Sequence, residues 1–327
     1  MHRFQYRESW MQLLTPEIVV KLARIHESKG KQCCILPHAE GRIGFLLEEA
    51  RMQSIEASNR IEGIWISRGR LKPLTENRAV PSGANEMIFA GYRDALKNVS
   101  ENHDYQPMTL TSILQLHQLL FQYQSEERGR LKSADCAQAI ECMCSEYEAA
   151  IEAGADPLLL IPMVMIDFLR IEPFERGNGQ MSRLLMLLLL YRAGYYVGKF
   201  VSLEKLIALN KKEYDEAFAV GCAGGDENKN DGRQFTEYLL GLIDEAYHAF
   251  IPQAERWVEP GYSKQDRILD YLRDAQIEVS KQDIISKYPD ISEITIKRTL
   301  GELVRKGTIR KKGKARATTY RYIEERE

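Results

Sequence analysis

Apolar residues recur at mixed three- and four-residue steps through most of the chain, the spacing of helices that bury one face. Phe45–Ser58 shows it, with Glu48, Glu49 and Arg51 on the polar side. Ala84–Val99 repeats it, and Thr109–Tyr123 opens on a threonine cap and sets Ile113, Leu116, Leu119 and Leu120 on one stripe. Asp156-Pro157 is a good cap and first-turn pair for a helix over Leu158–Ile171. Pro173 is expected to end it, because the residue before a proline is pushed out of the α region. The next helix begins near Gly179 and runs through Tyr191, and its stretch Leu184–Tyr191 is apolar all round, which belongs at the centre of a bundle. Leu203–Ala219 and Phe235–Phe250 are two further amphipathic helices, separated by a loop over Gly224–Gly232. Two-residue alternation, the mark of strands, is nearly absent from this part.

The pattern changes after Glu255–Tyr262, whose Pro260-Gly261 reads as a linker. Three short helices follow, over Gln265–Arg273, Ser280–Lys287 and Ser292–Lys306, the last with Ile294, Ile296, Leu300 and Leu303 as its apolar positions. Thr308–Arg310 and Thr318–Ile323 are β-prone runs joined by a basic turn. Helix, helix, helix, hairpin is the order of a winged helix-turn-helix. The expected fold is therefore mainly α, a helical bundle followed by a small α+β winged helix-turn-helix domain. The segments are a helical region over 1–107, a core over 108–255 and the winged domain over 256–327.

Composition adds mostly exclusions. Hydrophobic residues at 44% and charged ones at 28% describe an ordinary globular protein, and a net charge of -2 points to no polyanionic partner for the whole chain. The start, MHRFQYRESWMQLL, has no apolar signal core, and the longest apolar run is far short of a membrane span. A cytoplasmic protein without membrane contact is expected, and its six cysteines are expected to be reduced thiols rather than disulfides or zinc ligands.

The chemistry concentrates at Ile171–Arg183. Gly177 and Gly179 let backbone amides approach a ligand, and the helix that follows aims its unsatisfied amides and positive dipole end at the same place, a recipe for holding a phosphate. Pro173, Phe174, Gly177, Asn178, Gly179 and Arg183 match the signature His-Pro-Phe-x-Asp/Glu-Gly-Asn-Gly-Arg-x-x-Arg, and here the sequence resembles the Fic family. Upstream, Ser58-Asn59-Arg60-Ile61-Glu62-Gly63 is similar to that family's inhibitory helix, Ser/Thr-x-x-x-Glu-Gly/Asn, and the likeness spans roughly residues 42–250, including the helix that carries His117.

The resemblance implies a nucleotide site at Phe174, Arg176, Gly177, Asn178, Gly179, Gln180 and Arg183, with ATP or another nucleotide as ligand, and an inhibitory set of Ser58, Glu62 and Gly63. It implies transfer of AMP from ATP to a protein hydroxyl, with a histidine as base and magnesium on the motif acid. Three positions depart from that. Glu172 stands where the histidine would, and a solvated glutamate, with a pKa of about 4.3, is a weak base at neutral pH. Arg176 stands where the magnesium carboxylate would and cannot ligate a metal, so neither magnesium nor any other metal is expected. Gln180 lacks the guanidinium fork of the first motif arginine. The hairpin flap that lays a target across the site also looks shortened, since Gly129-Arg130-Leu131-Lys132 passes quickly into a helix over Cys136–Ala153. Three readings stay open: a regulator that binds a nucleotide or anion without transfer, an active adenylyltransferase with altered chemistry at Glu172, and a scaffold or homodimerisation core.

Arg305–Arg321 carries Arg305, Lys306, Arg310, Lys311, Lys312, Lys314, Arg316 and Arg321 with no acidic residue among them. A winged helix sets its third helix in the major groove and its wing along the backbone. Thr295, Lys297 and Arg298 are the candidate groove contacts, and Lys311, Lys312, Lys314 and Arg316 the wing contacts to phosphate. A solvated charge run on a protein-contact domain is the alternative. Winged helices often follow the core in bacterial proteins that this chain resembles.

Overall fold

The computed structural model describes residues 4–39, 43–124, 128–222, 232–258, 261–275, 277–313 and 318–323. Among these the chain is mainly helical. The helices are α1 (Tyr6–Ser9), α2 (Pro16–Ile35), α3 (Gly44–Ile61), α4 (Arg68–Thr75), α5 (Ala84–Asn102), α6 (Leu110–Leu120), α7 (Ala134–Glu152), α8 (Pro157–Ile171), α9 (Asn178–Arg192), α10 (Leu203–Leu209), α11 (Lys211–Cys222), α12 (Arg233–Val258), α13 (Lys264–Asp274), α14 (Lys281–Lys287) and α15 (Glu293–Arg305). Three strands, β1 (Val279–Ser280), β2 (Ile309–Lys312) and β3 (Thr319–Tyr322), form one small antiparallel sheet in the order β1-β3-β2. Contacts divide the chain into two compact units, one of Met1–Cys34 with Leu46–Ile251 and one of Ile35–Phe45 with Pro252–Glu327.

In the larger unit α9 is the axis. Every residue from Met181 to Tyr191 is buried, as an all-round apolar helix must be to escape water. It packs against α8, whose own buried side runs from Leu158 to Phe168, and against α5. Asp156 caps α8 by accepting from the Leu158 N–H at 2.9 Å, with Pro157 in the first turn. The helix stops at Ile171, ahead of Pro173, as the proline rule requires. The single helix expected over Leu203–Ala219 is two, α10 and α11, with Asn210 between them. Three helices outside the periodic reading, α1, α2 and α4, complete the unit. All six cysteines are free thiols.

The smaller unit has the expected three helices and hairpin, with β1 as an added third strand. Val279 pairs with Tyr320, and Ile309 pairs with Tyr322. Ser263, Ser280 and Ser292 cap its three helices, two of them as full capping boxes. The expected linker is partly helical, since α12 continues through Pro252 to Val258. Helix α15 buries Ile296, Thr299, Leu300 and Leu303, but Ile294 is 81% exposed and does not belong to that core face. Two residues before Ile296 is a rotation of about 200°, which puts Ile294 on the opposite side of the helix.

A cation lies inside this unit. Arg267 is 4% exposed, donates to both oxygens of Asp290 at 2.7 and 3.0 Å, and lies over the rings of Phe45 and Tyr288. Removing the carboxylate leaves a buried guanidinium without its counter-charge. Asp290→Ala is therefore expected to cost roughly 2–4 kcal/mol, read by urea denaturation of the full chain, whereas Asp283→Ala, which removes only a capping contact, is expected to cost about 1 kcal/mol.

Candidate functional site

The turn between α8 and α9 is built from its own side chains. Glu172 closes α8 as a left-handed cap, with φ 45° and its N–H on the Phe168 carbonyl at 3.0 Å. Phe174 is fully buried. Asn178, the first residue of α9, returns both ends of its amide to Phe174, accepting from the N–H at 3.1 Å and donating to the carbonyl at 2.6 Å. Gly177 precedes it with φ 79°, and a side chain there would also strike the Phe121 ring. Asn178 thus shapes the turn with the groups that a nucleotide-binding role would direct outward.

His117 fastens this turn to the rest of the unit. It is 1% exposed and stacks on Phe174 with ring centroids 3.7 Å apart at 10°. Its Nδ1 accepts from the Gly129 N–H at 3.0 Å, which leaves the proton on Nε2 to donate to the Arg176 carbonyl at 3.2 Å. Burial pushes its pKa down to about 4. Beside it Leu131 and Phe174 form an antiparallel bridge, and the Lys132 N–H donates to the Pro173 carbonyl at 2.9 Å. The segment in the flap position is this bridge, and α7 begins at Ala134. Sequence reading placed His117 on its helix without a role. A histidine on the apolar stripe of α6 was the available signal.

The mouth of α9 is occupied by a carboxylate of the chain itself. Helix α3 ends in a Schellman turn, with the Ile64 N–H on the Asn59 carbonyl, the Gly63 N–H on the Arg60 carbonyl, and Gly63 at φ 74°. Glu62 is the cap residue of that turn, and its carboxylate lies so close over Gly179 that any side chain at 179 would collide with it. The same carboxylate accepts from Arg183 Nη2 at 2.8 Å. Arg183 is 1% exposed and donates in addition to the Ser58 hydroxyl at 2.9 Å and the Ser58 carbonyl at 3.1 Å. Burial opposes its charge, but Glu62, with Tyr92 and Tyr214 nearby, holds its pKa above the ordinary guanidinium value. Gln180, buried, donates to Asn59 Oδ1 at 3.1 Å. One turn further back on α3, Ser54 donates to the buried Glu204 at 2.7 Å, and Tyr92 donates to the same carboxylate at 3.0 Å.

Ser58, Glu62, Gly179, Gln180 and Arg183 are therefore brought together, while Glu172 stands apart. Its side chain is 63% exposed and pairs with Lys132 Nζ at 3.2 Å. Arg176 is exposed, and its carbonyl accepts from His117. The carboxylate over Gly179 is held by the Arg183 guanidinium. Among the described residues no group of three or more His, Cys, Asp or Glu is placed to hold a metal.

With this geometry in view, the Fic/DOC family profile matches residues 107–190, the stretch from before α6 to the end of the leucine run. The chain contains a Fic domain. A Fic family protein from Desulfovibrio desulfuricans G20 shares the fold at a TM-score of 0.62 and 19% identity, over 96% of this chain and 98% of that one. A Fic domain containing signaling protein from Bacteroides thetaiotaomicron VPI-5482 matches at a TM-score of 0.61 and 18% identity, over 71% of this chain and 98% of its own. Fic-1 from C. elegans matches at a TM-score of 0.56 and 16% identity, over 72% of this chain and 73% of that one. At such identities these likenesses establish the fold; of the Glu62–Arg183 pair, Arg183 lies within the matched stretch and Glu62 outside it.

On the smaller unit the Thr295 hydroxyl pairs with Ser292 at 2.9 Å, Lys297 with Glu293 at 3.1 Å, Arg298 with Glu302 at 3.9 Å, and Lys312 with Glu278 at 2.7 Å. Arg310 and Lys311 are exposed on β2. Lys314 and Arg316 lie outside the described residues. No helix among the described residues is long and apolar enough to cross a membrane.

The histidine gives a pH prediction. Its folded pKa of about 4 lies below the ordinary 6.5, so the unfolded chain takes up the proton first as pH falls. The contribution of neutral His117 is complete above pH 6.5 and is lost as pH falls towards 4, a decline of up to roughly 3 kcal/mol. Urea denaturation at stepped pH is expected to show this decline in the wild type and a shallower one in His117→Asn, which keeps a polar side chain but does not titrate.

Proposed function

We propose that this Fic-domain protein is a regulator that keeps an anion-holding turn, does not transfer AMP, and acts on DNA through its C-terminal unit. The observation that carries the reading is the Glu62 carboxylate over Gly179, held there by Arg183. A nucleotide phosphate and this carboxylate compete for the same space over Gly179 and the same guanidinium, so ATP or a related nucleotide binds only when Glu62 leaves. Transfer needs more than that exchange. Glu172 is turned to solvent and paired with Lys132, Arg176 offers no metal oxygen, and Gln180 is committed to Asn59. On DNA, the exposed Arg310, Lys311 and Lys312 supply phosphate contacts.

Calorimetry with ATP, with and without magnesium, tests the first half. Glu62→Gly is expected to bind at least ~10-fold more tightly than wild type, a difference of about 1.4 kcal/mol, with little response to magnesium. Neither protein is expected to label itself or lysate proteins from α-labelled ATP. Labelling that disappears in Glu172→Ala overturns the non-transferring reading in favour of an active adenylyltransferase. Binding to duplex DNA with a steep salt dependence, lost on reversing the charges of Lys311, Lys312 and Lys314, is the expected result for the second half.

A further inference from the structure

The outward side of α15 forms one stripe. Ile294, Lys297, Arg298, Gly301 and Arg305 follow one another at helical spacing, opposite the buried Ile296, Thr299, Leu300 and Leu303. All five are exposed. The make-up of the stripe is unusual in two respects. Ile294, in the first turn, is 81% exposed, so a large apolar side chain is held in water on the end of the helix that a winged domain presents to a groove. Gly301 sits within the helix, where glycine weakens it, and a Cβ there would meet nothing within 4 Å. No packing inside the protein requires that glycine.

Both features have one use in common. An exposed aliphatic side chain matches the C5-methyl group of thymine, the one apolar feature on the floor of the major groove. A missing side chain lowers the helix surface at mid-stripe and lets its backbone come close to the partner. Lys297 and Arg298 lie between Ile294 and Gly301 in the stripe, and Glu293 and Glu302 hold them in place at 3.1 and 3.9 Å until phosphates compete for them. A protein partner fits less well, since a protein interface needs a contiguous apolar centre and this stripe carries one apolar side chain among three basic ones.

We infer that α15 is a major-groove reading helix in which Ile294 selects a thymine through its methyl group and Gly301 is the point of closest approach. This rests on the DNA reading above and adds the determinant of sequence. The test uses the full chain and a pool of duplexes with a randomised central segment. Enrichment of a site with a fixed thymine is expected, and replacing that base by uracil, which lacks only the methyl, is expected to weaken binding about fourfold, the worth of one buried methyl group. Ile294→Ala is expected to bind the thymine and uracil duplexes equally. Gly301→Ala is expected to raise the melting temperature while binding the selected duplex at least ~10-fold more weakly, an outcome opposite to that of a position whose role is only structural. Equal binding of the two duplexes by wild type, an Ile294→Ala protein that keeps the preference, or undiminished binding by Gly301→Ala overturns the inference and leaves DNA binding standing. Enrichment of no duplex at all overturns the DNA reading together with it.

Discussion

The larger unit is organised around a guanidinium that has been taken almost entirely out of water. Arg183 is 1% exposed at the head of the leucine run of α9, and a charge in that position is tolerable only with hydrogen-bond partners. Ser58 on α3 and Glu62, the cap residue one turn later, accept three hydrogen bonds from it. The end of α3, the Schellman turn at Gly63 and the absence of a side chain at Gly179 all follow from the need to bring that carboxylate to that place. Ser54 and Glu204 extend the polar seam by a further turn, so α3 is held to the unit by hydrogen bonds along one side as well as by its apolar residues.

This arrangement separates gripping from chemistry. The arginine in the first turns of α9 holds a carboxylate of the protein's own over Gly179. The side chains that would act on a bound nucleotide are elsewhere or otherwise employed. Gln180 is the clearest case. Where the resembled motif carries an arginine, the glutamine amide is just long enough to reach Asn59, and it contributes a further link between α9 and α3.

The sequence was most legible where geometry follows from local rules. Proline at 173, the Asp156-Pro157 start and the leucine run placed α8 and α9 to within a residue or so, and the three C-terminal helices fall as close to their expected spans. The pairing of Glu62 with Arg183 was legible only through the motif, since no periodicity joins positions 121 residues apart. The role of His117 was hidden because a histidine on an apolar stripe reads the same whether it is satisfied by one carbonyl or staples two loops. Ile294 was misplaced for a related reason. An apolar residue next to an apolar stripe is counted with it, and only the phase of the helix shows that it faces the other way.

Glu62 also sets a threshold. A tethered group competes at its effective concentration, which for even a loose tether is in the millimolar range, and the cap turn at Gly63 makes this tether short and stiff. The affinity of any free anion for the start of α9 is reduced by the fraction of time the carboxylate is away. Whatever frays the last turn of α3 changes that fraction directly, without touching a single group that faces the anion, so the sensitivity of the turn is adjustable from the outer surface of a different helix.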